Sequence, residues 1–147
     1  MYTVARLRSA ARGWHVSTAE RVLVDTGAWV AFFRGSVPGR SEVRALVTEN
    51  RALRCGPVEL ELRRGLRRRE AAAVLGVWSA VPPLAVEATD FTSAGDLLRD
   101  LRESGKSLPS MDGLIAALAL RYEVPVLSLD HHFALVPGLR RWPLGGT

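Results

Sequence analysis

The chain has 147 residues, 48% of them apolar, which is enough for one compact domain with its own core. A single cysteine, Cys55, excludes an internal disulfide framework, and the longest apolar helical run, Leu114 to Leu120, falls far short of the roughly 20 residues that cross a bilayer. The formal net charge of +5 favours phosphate-bearing or acidic partners, but with Lys106 as the only lysine the arginine excess fits a coding bias as well.

Residues 1–20 carry arginine, serine and alanine with one acid at the end, and they lack the apolar centre of a secretory signal. An organellar transit segment, a misassigned start and a disordered arm fit that composition equally, so the folded domain is expected over residues 21–147. From Arg21 onward, short runs rich in valine and leucine alternate with segments of helical period, the pattern of an α/β domain. "RVLV" (21–24) reads as a strand and 28–35 as its helix. A second helix over 38–50 presents Val43, Leu46 and Val47 on one side, and "ALRC" (52–55) is the second strand.

The third helix opens at Pro57, a residue suited to the first helical position, and breaks near the arginine run Arg63–Arg69. Another helix follows over 71–81 until Pro82 and Pro83 stop it. After a third strand at 84–87, the spacing of Ala88, Phe91, Ala94, Leu98 and Leu101 predicts a long amphipathic helix ending at Gly105. A loop and helix over 107–123, a strand over 124–130, a short helix or turn at 131–138 and a tail that adds an edge strand complete the chain. Strands that are unbroken apolar runs are buried on both faces, which implies a three-layer α/β/α domain with a mainly parallel central sheet. Ligands of such sheets bind beyond the carboxyl ends of the strands.

The carboxylates gather there. Asp25 stands directly after the first strand and Asp130 directly after the last, so both project from one sheet edge. Asp112 opens a helix whose small residues Ala116 and Ala119, at i+4 and i+7, let it sit close to the sheet. Of the two acids on the third helix, Glu59 has Arg63 at i+4, the favourable orientation for an exposed ion pair, whereas Glu61 shares a face with Val58 and Gly65. Glu61 is therefore the inward acid. Singly, each aspartate could simply cap the helix or turn that follows it. Together, four converging carboxylates repel one another unless they take up protons or gather cations, and an oxygen-rich, histidine-poor site suits magnesium or manganese. A divalent ion held by two acids polarises a phosphodiester and acidifies water, so the chemistry suggested is phosphodiester hydrolysis.

The order "LVDTGAW", "ELRRG", "SLPSMDGLIAALAL", "VLSLDHHF" resembles the PIN-domain ribonucleases, and in particular the VapC toxins of type II toxin–antitoxin pairs, over about residues 21–141. That resemblance places the family's acidic quartet on Asp25, Glu61, Asp112 and Asp130, with metal contacts mainly at Asp25 and Asp112. It implies Mg2+- or Mn2+-dependent cleavage of RNA, a cytoplasmic homodimer, and a cognate antitoxin that inserts a segment near the active site. Two positions depart from the family pattern: Gly27 stands where a serine is common after the "DT", and His132 where a further acid often precedes the final phenylalanine. Thr26 and Ser128 remain as hydroxyls able to orient the acids.

Other features weigh less. The arginine run reads as a solvated face or antitoxin contact before an RNA contact. His131 and His132 are adjacent, unlike the i, i+4 pair of helical zinc ligands, and read as rim or turn residues. Trp29, Phe32 and Phe33 read as core or dimer-interface residues rather than base-stacking ones. A signalling receiver domain also gathers aspartates at strand ends, but Lys106 precedes the Asp112 helix rather than ending a late strand. A catalytically silent PIN-like module, acting in a protein or DNA-bound complex, is the non-enzymatic alternative.

Overall fold

The computed structural model describes residues 19–145, so residues 1–18 of the arm expected over 1–20 lie outside the described residues. The first strand, β1 (Val22–Val24), is the centre of the sheet, and its three side chains are fully buried. Because successive strand side chains point to opposite faces, this burial means that both faces of the sheet are covered. Each such side chain removed from water contributes roughly 1.5–3 kcal/mol before entropy is subtracted.

β1 pairs in parallel with β2 (Ala52–Cys55) on one side and β4 (Val126–Leu127) on the other, and β3 (Pro83–Leu84) pairs in parallel with β2. The order is β3-β2-β1-β4. The helices are α1 (Thr26–Arg34), α2 (Arg40–Thr48), α3 (Gly56–Gly65), α4 (Arg68–Ser79), α5 (Ala88–Glu103) and α6 (Ser110–Tyr122), with a 3-10 turn at His131–Leu135. The α/β architecture and the element order agree with the expectation from the sequence.

Three strands are shorter than expected: β4 keeps only Val126–Leu127 of the 124–130 run, and β3 and the tail are reduced as well. Pro82 and Pro83 have no N–H to donate, so β3 holds to β2 through the Arg54 N–H on the Pro82 carbonyl at 3.0 Å and the Arg54 Nε on the Val81 carbonyl at 2.6 Å. The expected edge strand of the tail is a single parallel bridge, Val126 to Arg141, with the Trp142 N–H on the Val126 carbonyl at 2.8 Å. The break between α3 and α4 falls at Leu66–Arg67, inside the arginine run, where the backbone is extended.

The phase of α5 differs from its apolar reading. Ala94 and Leu101 are buried as expected, but Phe91 is 62% exposed and Asp90 is buried in its place. Asp90 accepts from Nε and Nη2 of Arg121 on α6, at 2.7 and 2.9 Å, and from the Glu87 N–H at 2.7 Å. A buried carboxylate matched by a guanidinium fork and a backbone donor is satisfied, so the helix tolerates an acid where periodicity alone would place an aromatic ring.

α6 is the most deeply set helix, with every residue from Gly113 to Ala119 buried. Gly113 makes that possible, because a Cβ there would lie 2.8 Å from the Leu98 side chain of α5. Trp29 and Trp78 are core residues whose rings meet edge to face at 5.3 Å, and Cys55 is buried, its thiol pushed up to about 12 chiefly by desolvation. Among the described residues, no helix is long and apolar enough to cross a membrane.

Candidate active site

The carboxyl ends of β1 and β4 lie side by side, because the Asp25 N–H donates to the Leu127 carbonyl at 2.9 Å as the last rung between them. Asp25 follows β1 directly. Its carbonyl accepts the Trp29 N–H at the start of α1, but its side chain makes no helix-capping bond and instead accepts from Ser128 Oγ at 2.7 Å. The same Ser128 oxygen accepts the Asp130 N–H at 3.0 Å, so one hydroxyl ties together the two acids that follow β1 and β4.

Glu61 reaches the cluster from α3, accepting from Thr26 Oγ1 at 3.0 Å, while Glu59 pairs outward with Arg63 at 3.3 Å. The inward and outward assignments made from helical spacing both hold. Asp112 sits in the first turn of α6, and the fully buried Ala116 and Ala119 below it bring that helix against the core. Asp130 caps the 3-10 turn through Oδ1, which accepts the His132 N–H at 3.0 Å. The capping reading is thus true of one Asp130 oxygen, and the other faces the cluster.

Electrostatics tie the four acids together. Burial pushes the Asp25 carboxyl up from its ordinary 3.8 to about 6; the Ser128 hydroxyl and the Thr26 N–H pull it back, and the charges of Asp112 and Glu61 add to the rise. Asp112 is also raised, first by desolvation, with the Asp130 and Glu61 charges adding and the hydrogen bond from His132 opposing. The partners of the acids are hydroxyls, backbone N–H groups and an imidazole. Asp90 shows the contrast, since its Arg121 contact holds its carboxyl below the ordinary range. A cluster of acids held near one another without a guanidinium in these contacts is a donor set that a divalent cation completes.

Sequence reasoning set one participant aside. His132 Nδ1 lies 3.0 Å from Asp130 Oδ2 and 3.3 Å from Asp112 Oδ2, so His132 belongs to the centre, whereas His131 is exposed. Ligand atoms of Asp112, Asp130 and His132 all lie within 4.8 Å of one another. The signal was present in the departure at position 132, but adjacency to His131 obscured it: in the capped turn His132 contacts the acids while His131 is exposed.

Beside Glu61, a groove of about 280 Å³ runs between α1 and the α3–α4 corner, lined by Val30, Phe33, Arg34, Leu62, Gly65, Leu66, Glu70 and Val74. Residues 22–139 match the PIN domain family. The chain belongs to that family. It is 34% identical to the VapC ribonuclease Mb1587 of Mycobacterium bovis and to ribonuclease VapC11 of Mycobacterium tuberculosis, each over 122 residues that span 78% of this chain and 90% of the relative.

Solved PIN-domain relatives share the fold at lower identity. The DNA-bound VapBC of Salmonella typhimurium aligns with a TM-score of 0.71 at 19% identity, over 84% of this chain and 97% of its own. VapBC2 of Rickettsia felis, bound to a promoter DNA fragment, aligns with a TM-score of 0.70 at 18% identity, over 84% and 98%. In this PIN domain Asp25 and Asp130 follow β1 and β4, and Glu61 and Asp112 stand on α3 and α6.

Proposed function

We propose that this PIN domain is the toxin of a type II toxin–antitoxin pair, a cytoplasmic endoribonuclease that hydrolyses RNA phosphodiester bonds at the centre formed by Asp25, Glu61, Asp112 and Asp130. The observation that carries the reading is the linkage of the acids at one sheet edge, Asp25 and Asp130 through Ser128, Glu61 through Thr26, and Asp112 and Asp130 through His132. Kinship to VapC ribonucleases supports the same activity.

Asp25 and Asp112 are the principal holders of Mg2+ or Mn2+. Such an ion, when bound, neutralises the carboxylates, polarises a phosphoryl oxygen and acidifies water. Ser128 holds the Asp25 carboxylate toward the cluster, and Thr26 Oγ1 fixes the rotamer of Glu61 by donating to Oε1. Glu61 Oε2 is left free of that bond to accept a proton from the attacking water, and Asp130, half-exposed at the rim, completes the negative wall that draws the cation in.

An acidic centre repels the RNA backbone, so affinity has to come from elsewhere on the chain. Arg67, Arg68 and Arg69 are exposed at the start of α4 and supply positive charge beside the groove, for RNA or for an antitoxin. The groove beside Glu61 has apolar walls with Arg34 and two acids at its edge, a fit for an antitoxin segment that lays apolar side chains along it and presents a cation to Glu61. A homodimer is part of the same reading.

The test is cleavage of a structured RNA pool by the purified, antitoxin-free protein with Mn2+, beside EDTA and Asp112→Asn, with folding checked by circular dichroism. Cutting that is lost in both controls supports the nuclease. A folded protein that binds metal but leaves a broad RNA pool intact would turn the reading to the catalytically silent module.

A further inference from the structure

We propose that His132 is itself a ligand of the divalent cation, and that its imidazole gives this centre a preference for Mn2+ over Mg2+ that an all-oxygen centre lacks. The proposal rests on the reading of the acidic centre as a cation site. It adds a ligand that the quartet does not include.

Three observations support it. The first is spacing: Nδ1 of His132 is 3.0 Å from Asp130 Oδ2 and 3.3 Å from Asp112 Oδ2. Adjacent ligands of an octahedral ion with bonds of about 2.0–2.2 Å are themselves about 3 Å apart, so Nδ1 already stands at a neighbouring ligand's separation from each carboxylate oxygen. Nδ1 binds an ion in the neutral tautomer that carries the ring's proton on Nε2.

The second is positioning. The His132 backbone N–H is fixed by Asp130 Oδ1 at 3.0 Å, and the next residue, Phe133, is fully buried. The turn is thus pinned on both sides of the ring, and the ring can stay in place when an ion arrives. With its side chain 44% exposed, His132 is also reachable by a cation from solvent.

The third is chemistry. Mg2+ prefers oxygen and sheds its water reluctantly, whereas imidazole nitrogen is a good ligand for the transition metals. Exchanging a carboxylate for a neutral imidazole at this position lowers the negative charge of the site, which weakens Mg2+ most, and offers nitrogen in return, which favours Mn2+ over Mg2+.

The experiment uses the full chain loaded with MnCl2 or MgCl2, with affinities from calorimetry and pulsed electron paramagnetic resonance of the bound Mn2+, for the wild type, His132→Asp, His132→Ala, His131→Ala and Asp112→Asn. The expected result is a directly coupled nitrogen in the wild type and His131→Ala that is absent from both His132 variants. The Mn2+-over-Mg2+ affinity ratio is expected to fall about tenfold in His132→Asp while Mg2+ still binds. Mn2+ bound without nitrogen coupling, with the same affinity ratio in His132→Asp, overturns the proposal and leaves His132 a hydrogen-bond partner in an intact acidic site. Absence of binding by either ion, with Asp112→Asn indistinguishable from the wild type, overturns the acidic-centre reading and the ligand proposal with it.

Discussion

Asp25→Asn should make the metal-free protein more stable at neutral pH and should flatten its pH dependence. In the folded chain the Asp25 carboxyl titrates at about 6 rather than 3.8, so between these values the native state holds a proton that the unfolded chain has lost. Stability contributed by that proton is complete below about pH 4 and is lost as pH rises toward 6. At about 1.4 kcal/mol per pH unit, the displacement corresponds to a ceiling of about 3 kcal/mol. Asparagine has the same shape, keeps an acceptor for the Ser128 hydroxyl and carries no charge to desolvate. The gap between variant and wild type, measured by urea unfolding in EDTA, should grow from near zero at pH 4 to about 2–3 kcal/mol above pH 6.5. Saturating Mn2+ should narrow or reverse it, because the ion binds the folded wild type preferentially. A gap that is the same at pH 4.5 and pH 7 would show that burial does not hold Asp25 above its ordinary range.

Ser128→Ala removes the hydroxyl that lowers Asp25, so the upper end of the pH range over which metal-free stability is lost should move up by somewhat under one unit, for a hydrogen bond worth about 1 kcal/mol, and Mn2+ affinity at neutral pH should drop about tenfold or more by calorimetry. Arg121→Ala leaves Asp90, only 1% exposed, without its charged partner; urea unfolding should show a lower midpoint than the wild type, and specific activity should be unchanged. Gly113→Ala forces Leu98 aside and separates α5 from α6, for a loss of about 1–3 kcal/mol read as a lower Tm, with weakened metal binding because Asp112 is its neighbour.

The alternation of buried strands and helices was legible in the residues alone, because an unbroken apolar run such as Val22–Val24 can be satisfied only by cover on both faces. So were the acids that point inward: helical spacing separated Glu61 from Glu59, and strand ends placed Asp25 and Asp130 at one edge. Those inferences are local, and periodicity carries local information well. Tertiary structure decided what depends on a partner distant in sequence. Asp90 could displace Phe91 from the interior only because Arg121 lies across from it on another helix. His132 entered the acidic centre, and His131 did not, because the turn that Asp130 caps aims one ring at Asp112, 20 residues away. A charge or an imidazole has no fixed preference for inside or outside until the group that satisfies it is in place, and that group is supplied by the fold.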